Sequence, residues 1–230
     1  MRRLKVLTIL TAIVLITLIS GYLSTTSPVN VSVEEGQREG TLIFTAGQGE
    51  SPLKGVEIKI NEESRGRTDS DGILSVEWLL AGEYSWSAIY NGNLVYFENF
   101  TIPEVTELEF VEMRRDKDAY HLGDDATGIV IVKNTGTRVI DHLTIKVTAT
   151  NIRYSSYGTL ATKTMSKDFE TEIYPGEEKE FRASVRIPES VTVSGYKVEG
   201  HMLKGIYKIE DEILIDDLSF GVKEMMIEVK

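Results

Sequence analysis

The sequence predicts an all-β protein: two tandem β-sandwich domains following an N-terminal transmembrane helix. Three observations carry this. Beyond Gly40 no segment keeps helical periodicity over three turns. Period-two apolar runs recur instead, as in "TLIFTA", "GVEIKI", "ILSVEWL", "EYSWSAIY", "GIVIVK", "LTIKVTAT", "EFRASVRI", "YKVEGHML" and "MMIEVK". Such runs separated by turn residues mark short strands, and there are more here than one seven-stranded sandwich uses. Finally, Arg2, Arg3 and Lys5 precede an uncharged run from Val6 to Leu23.

That run contains 18 residues, a helix of roughly 27 Å at ~1.5 Å per residue, enough for a thin bilayer. Cations before the span favour a cytoplasmic N-terminus with the bulk of the chain outside. A cleaved signal peptide is the rival reading. It would place a secreted chain in the same compartment, but no clean A-x-A-like site follows the run. Residues 1–23 are therefore read as a signal anchor and 24–39 as a polar juxtamembrane linker, within which Val29, Val31 and Val33 alternate as a strand would.

A formal charge of −11 on 230 residues disfavours nucleic acid, which requires a basic footprint, and peripheral binding to anionic lipid. The chain has no cysteine, which excludes disulfides, cysteine metal sites and cysteine lipid anchors.

The first domain is placed at 40–104. Val56, Ile58 and Ile60 share one strand face; Leu74, Val76 and Trp78 share another; Tyr84, Trp86, Ala88 and Tyr90 share a third. Between them lies "RTDSDG". Asp side chains there can accept backbone amides two residues on, and Gly72 supplies a left-handed conformation. A calcium loop is the alternative. Aligned on Gly72, it finds Arg67 where the first Asp belongs and Trp78 where the bidentate Glu belongs, with Glu77 one position short. Asp69, Asp71 and Gly72 are accordingly read as a structural turn. The aromatic face of Tyr84, Trp86 and Tyr90 is read as core packing, with a sugar platform as the functional alternative.

The segment "PLKGVEIKI…RTDSDGILSVEWLLAGEYSWSAIYNG" resembles the carboxypeptidase-regulatory-like, or transthyretin-like, β-sandwich module. The likeness rests on Pro52, Leu53, Gly55, Val56, Thr68, Asp69, Gly72, Gly82 and Tyr84.

The second domain is placed at 105–230. Its "YHLGDD", "VKNTG" and "YPGEEKEFRASVRIP" stretches resemble the cell-adhesion-related, immunoglobulin-like repeats of prokaryotic surface proteins, through Tyr120, Gly123, Asp124, Val132, Asn134, Gly136, Pro175, Gly176, Glu177, Ile187 and Pro188. Such repeats are nearer ~100 residues, so the C-terminal stretch from His201 is expected to hold an added hairpin or edge strand.

No catalytic constellation emerges. His121, His142 and His201 lack partners at metal-ligand spacing, and nucleophile-elbow, zinc-protease and phosphate-loop motifs are missing. No catalytic, metal or cofactor-binding residue is assigned and no cofactor is expected. Two acidic clusters, Asp116/Asp118/Asp124/Asp125 and Glu210/Asp211/Glu212/Asp216/Asp217, are read as solvated loops or edge protection, with calcium as the alternative. Asn30 and Asn99 head glycosylation sequons. The expected function is that of a non-catalytic, membrane-anchored surface protein with a structural or adhesive role in the cell envelope. Its expected partners are the membrane and an envelope protein or glycan. The alternatives are a glycan- or protein-binding accessory module and a subunit of an extracytoplasmic filament or motor complex.

Overall fold

The computed structural model describes residues 27–193 and 195–230. The apolar run 6–23 and the cleavage region up to residue 26 lie outside them. Among the described residues no helix is long and apolar enough to cross a membrane.

The described residues are all-β, and the chain divides into two compact units. Unit 1 contains the described residues up to Glu34, then Leu42–Val76 and Tyr84–Phe100. Unit 2 contains Glu35–Thr41, Glu77–Glu83 and Thr101–Lys230. The units interleave in sequence, whereas the sequence reading divides the chain once, between residues 104 and 105. Segments 35–41 and 77–83 are grouped with the second unit because their backbone is bonded there: Leu79 N donates to Gly40 O and Ala81 N to Thr137 O, each at 2.9 Å.

Among the described residues eight strands lie wholly or mainly in unit 1. One sheet comprises β1 (Val29–Glu35), β2 (Leu42–Gln48), β3 (Ser51–Pro52) and β6 (Ile73–Val76), with β2 pairing each of the others. The second has the order β5-β4-β7-β8, from β4 (Glu57–Ile60), β5 (Glu63–Arg67), β7 (Gly82–Tyr90) and β8 (Asn93–Ile102). The expected linker is thus partly a strand, since β1 begins at Val29. Alternation aims Phe44, Val56, Ile58, Ile60, Trp86 and Ala88 inward, all buried. Phe44 meets Trp86 edge-on at 5.0 Å.

Unit 2 pairs β9 (Leu108–Arg115), β11 (Asp125–Asn134) and β14 (Glu178–Arg186) in one sheet, order β14-β11-β9. Its second sheet, order β10-β18-β17-β12-β13, contains β10 (Ala119–Tyr120), β12 (Ile140–Asn151), β13 (Thr162–Ile173), β17 (Gly205–Ile215) and β18 (Leu218–Val229). A core of Phe110, Val130, Val132, Leu143, Ile145, Ile173, Phe181 and Ile213 fills the space between the sheets. The extra C-terminal material is distributed differently from expectation. The inserted hairpin is β15 (Ser190–Val193) with β16 (Tyr196–Glu199), while β17 lies inside the five-stranded sheet and buries Ile209, Ile213 and Ile215.

Among the described residues, three hairpins close through two-residue turns with both residues at positive φ: Asn61–Glu62, Asn91–Gly92 and Asp216–Asp217. This is the type I′ pattern that matches strand twist, and Asn and Asp tolerate it best among non-glycine residues.

Candidate functional site

The "TDSDG" loop is a side-chain-capped turn between β5 and β6. Asp69 Oδ1 accepts from the amides of Asp71 and Ile73, both at 2.9 Å, and Gly72 N donates to Asp69 O at 3.2 Å. Gly72 sits at φ +74, and a Cβ there would lie 2.3 Å from Ala46 O. Thr68, buried beside it, donates to Leu53 O at 2.7 Å and accepts from Val56 N at 3.0 Å. These bonds tie the β3–β4 connection to the turn, and they account for the spacing between Leu53–Val56 and Thr68–Gly72.

Trp78 departs from expectation. It does not continue the face of Leu74 and Val76, because β6 ends at Val76 and Trp78 has φ 62. For a bulky residue that conformation is a strained outlier. Within unit 2 the ring rests against Gly176, where a Cβ would come within 2.5 Å of it. Arg38 and Lys133 stand over the ring at 5.7 and 5.6 Å.

The first acidic cluster is divided among separate structural tasks. Asp116 Oδ1 accepts from Tyr120 Oη and from Thr127 N, both at 2.8 Å. Burial works to raise the Asp116 pKa, but these hydrogen bonds outweigh it and hold the carboxyl below its ordinary value. Burial, with the Asp116 hydrogen bond, pushes the Tyr120 phenol up to about 12. Asp124 caps the neighbouring turn, accepting from His121 N at 3.0 Å, the bond that does most to lower its pKa. Asp125 faces Arg186 at 3.7 Å.

The second cluster contains a buried ion pair that the sequence reading missed. Asp211 points inward from β17 and accepts both Arg115 guanidinium nitrogens, at 2.8 and 3.0 Å. Side-chain exposure is only 6% for Arg115 and 1% for Asp211. Lys223, its cross-strand partner, also turns inward and donates to Val111 O. Strand alternation was the available signal, since Ile209, Asp211 and Ile213 fall on one face in "KIEDEILI". The flanking residues point the other way: Glu210 pairs with Lys208 at 3.0 Å and Glu212 with Lys146 at 2.9 Å. Asp216 and Asp217 make the hairpin turn.

His142 also lies here. Its Nδ1 is 2.8 Å from Asp141 and its Nε2 3.1 Å from Asp216; the Asp141 hydrogen bond is the main reason its pKa is raised. Asp141, Glu170, Glu172, Glu177 and Lys179 also line a shallow depression of about 690 Å³. Among the described residues no group of three or more His, Asp or Glu side chains is placed to hold a metal ion.

Trp86 is buried, stacked on Tyr96 at 4.6 Å, and Tyr84 stacks on Phe100 at 5.3 Å. Tyr90 is half-buried at the end of β7. Asn30 and Asn99 are both exposed, on β1 and β8.

The described residues thus form an all-β protein body of two sandwich-like units. No protein-family model matches the sequence, and no curated protein is similar to it. Among solved structures it superposes on an alkylpurine DNA glycosylase of Pseudomonas fluorescens bound to abasic-site DNA, at 16% identity over 54% of this chain and 31% of that one, TM-score 0.38. A β-glucosidase of Erythrobacter marinus gives 14% identity over 61% of this chain and 18% of that one, TM-score 0.41. A CARDB domain from Pyrococcus furiosus, solved with di-metal ions, gives 17% identity over 55% of this chain and 94% of that one, TM-score 0.36. The chain therefore spans less than a third of either enzyme's length. At these TM-scores the likenesses carry no argument about metal, substrate or activity.

Proposed function

We propose that this protein is a non-catalytic, membrane-anchored ectodomain with a structural or adhesive role in a cell envelope. The observation that carries the reading is the uncharged run Val6–Leu23, preceded by three cations and joined by five residues to β1, the first strand of the all-β body. The way the polar side chains are used supports the non-catalytic part. Asp69, Asp116, Asp124 and Asp211 are each bound to backbone amides, a phenol or a guanidinium that position the fold.

The test is made on membranes. Intact-mass measurement of detergent-extracted protein retains Met1 or its immediate successor, and protease added to intact cells removes the chain beyond residue 27. Cross-linking before extraction then captures an envelope component. A mature N-terminus near Ser24 or Ser27 overturns the anchor; a chain protected in intact cells overturns the exported orientation.

A further inference from the structure

One end of unit 1 gathers the start of the described chain and three of its turns. Gln48 Nε2 donates to Ser27 O at 2.9 Å, placing the chain entry beside the β2–β3 turn at Gly49–Glu50. Ala46 N donates to Gly72 O and Leu53 N to Ala46 O, which adds the Asp69–Gly72 turn. Gly55 N donates to Thr68 O, and Glu57, two residues on, pairs with Ile89 just before the Asn91–Gly92 turn. The opposite end carries the Asn61–Glu62 turn, since Ile60 pairs with both Glu63 and Trp86.

The five residues Ser24–Pro28 between the apolar run and β1 reach at most about 18 Å when fully extended. The nine residues of β7 alone span ~30 Å. A tether shorter than the unit is tall cannot present the far end to the membrane from which the chain emerges. The near end also carries Leu94, 65% exposed, beside the Asn91–Gly92 turn, and Ile73, 40% exposed, beside Gly72. Its cations are few: Lys54 and Arg67 stand among Glu50, Glu57, Asp69 and Asp71, and Arg67 pairs with Glu57 at 3.3 Å. It lacks the basic cluster that anionic headgroups select.

We infer that this end of unit 1 faces the bilayer at headgroup distance, with Leu94 as its apolar contact to zwitterionic lipid. The inference rests on the anchor proposed above. It makes unit 1 a fixed collar on the membrane rather than a freely swinging bead.

The absence of native cysteine makes the test direct. Leu94→Cys, Ser70→Cys and Glu63→Cys are introduced singly into the full chain, labelled with an environment-sensitive fluorophore and reconstituted in phosphatidylcholine vesicles. The vesicles contain a headgroup-depth nitroxide lipid. Quenching at positions 94 and 70 is expected to be several-fold stronger than at 63, and unchanged when phosphatidylserine is added. Ser70 is an exposed turn residue, so it keeps the test readable if Leu94→Cys misfolds. Failure to float with carbonate-washed vesicles would overturn the anchor reading itself. Flotation with equal quenching at all three positions, or strongest at 63, overturns the orientation alone. Quenching that rises with phosphatidylserine overturns the apolar contact.

Discussion

In unit 1 the sheets meet through rings, Phe44 against Trp86 at 5.0 Å, and Trp86 in turn stacks on Tyr96 of the neighbouring strand in its own sheet at 4.6 Å. In unit 2, beside a core of mainly aliphatic side chains with Phe110 and Phe181, a guanidinium and a carboxylate meet between the sheets at 2.8 Å with both side chains almost fully buried. The difference lies in tolerance of error. Aromatic and aliphatic packing loses energy in proportion to the volume removed. A buried ion pair adds little against a well-packed apolar substitute, but losing one partner strands a charge in a medium that cannot solvate it. Unit 1 concentrates its sensitivity in backbone geometry, at the Gly72 turn. Unit 2 concentrates it in charge matching.

The largest expected effect tests that contrast. Asp211→Ala leaves Arg115 unpaired and is expected to cost roughly 3–5 kcal/mol, whereas the double change Arg115→Met with Asp211→Leu costs far less. The chain has two tryptophans, Trp86 in unit 1 and Trp78 in unit 2, so Trp→Phe backgrounds report each unit's urea unfolding separately. A single-variant loss equal to that of the double variant would remove the argument from charge.

Next comes Gly72→Val, expected to cost roughly 2–4 kcal/mol from positive φ and collision with Ala46 O. Asp69→Asn is milder, about 1 kcal/mol, because an amide oxygen accepts the same two backbone bonds. The Trp86 signal reads both. An inverted ranking would mean that Asp69 serves a cation.

Tyr120→Phe in unit 2 deletes the phenol that holds Asp116, for about 1 kcal/mol. The folded Asp116 pKa lies below its unfolded value. Its contribution is therefore present above the unfolded carboxylate pKa and lost as pH falls through the folded one. The gap between variant and parent melting temperatures should accordingly close in acid; a gap constant with pH argues against the clasp.

The smallest effect belongs to His142→Gln. The folded His142 pKa is raised, so its stabilisation is full below the unfolded histidine pKa and disappears as pH rises through the folded value. The pair is exposed and salt-screened. A slight loss of melting temperature near pH 5 and none near pH 9 is expected; an equal loss at both would show that charge is not involved.

Much of the architecture is present in local chemistry. Alternation along β2, β4, β7, β11, β12 and β14 and the turn residues at Asn91–Gly92 and Asp69–Gly72 act within a few residues, and a reader of sequence can follow them. The motif around Asn134 is similar in kind but not in reach. Its amide donates to Arg138 O and to Ile173 O, both at 2.8 Å, and the second carbonyl lies 39 residues away. The turn is legible there, while its partner is not.

The sequence by itself determined the all-β class, the apolar N-terminal run and the acidic, cysteine-free character, because these depend on composition and on periods of a few residues. Tertiary structure alone decided three other things: that Asp211 is buried against Arg115, that Trp78 leaves its strand to rest on Gly176, and that segments 35–41 and 77–83 belong with unit 2. Each joins residues far apart in the chain, where a charge or ring finds its partner only after the sheets have been brought together. Local pattern records which way a side chain points, but not what waits on the other side.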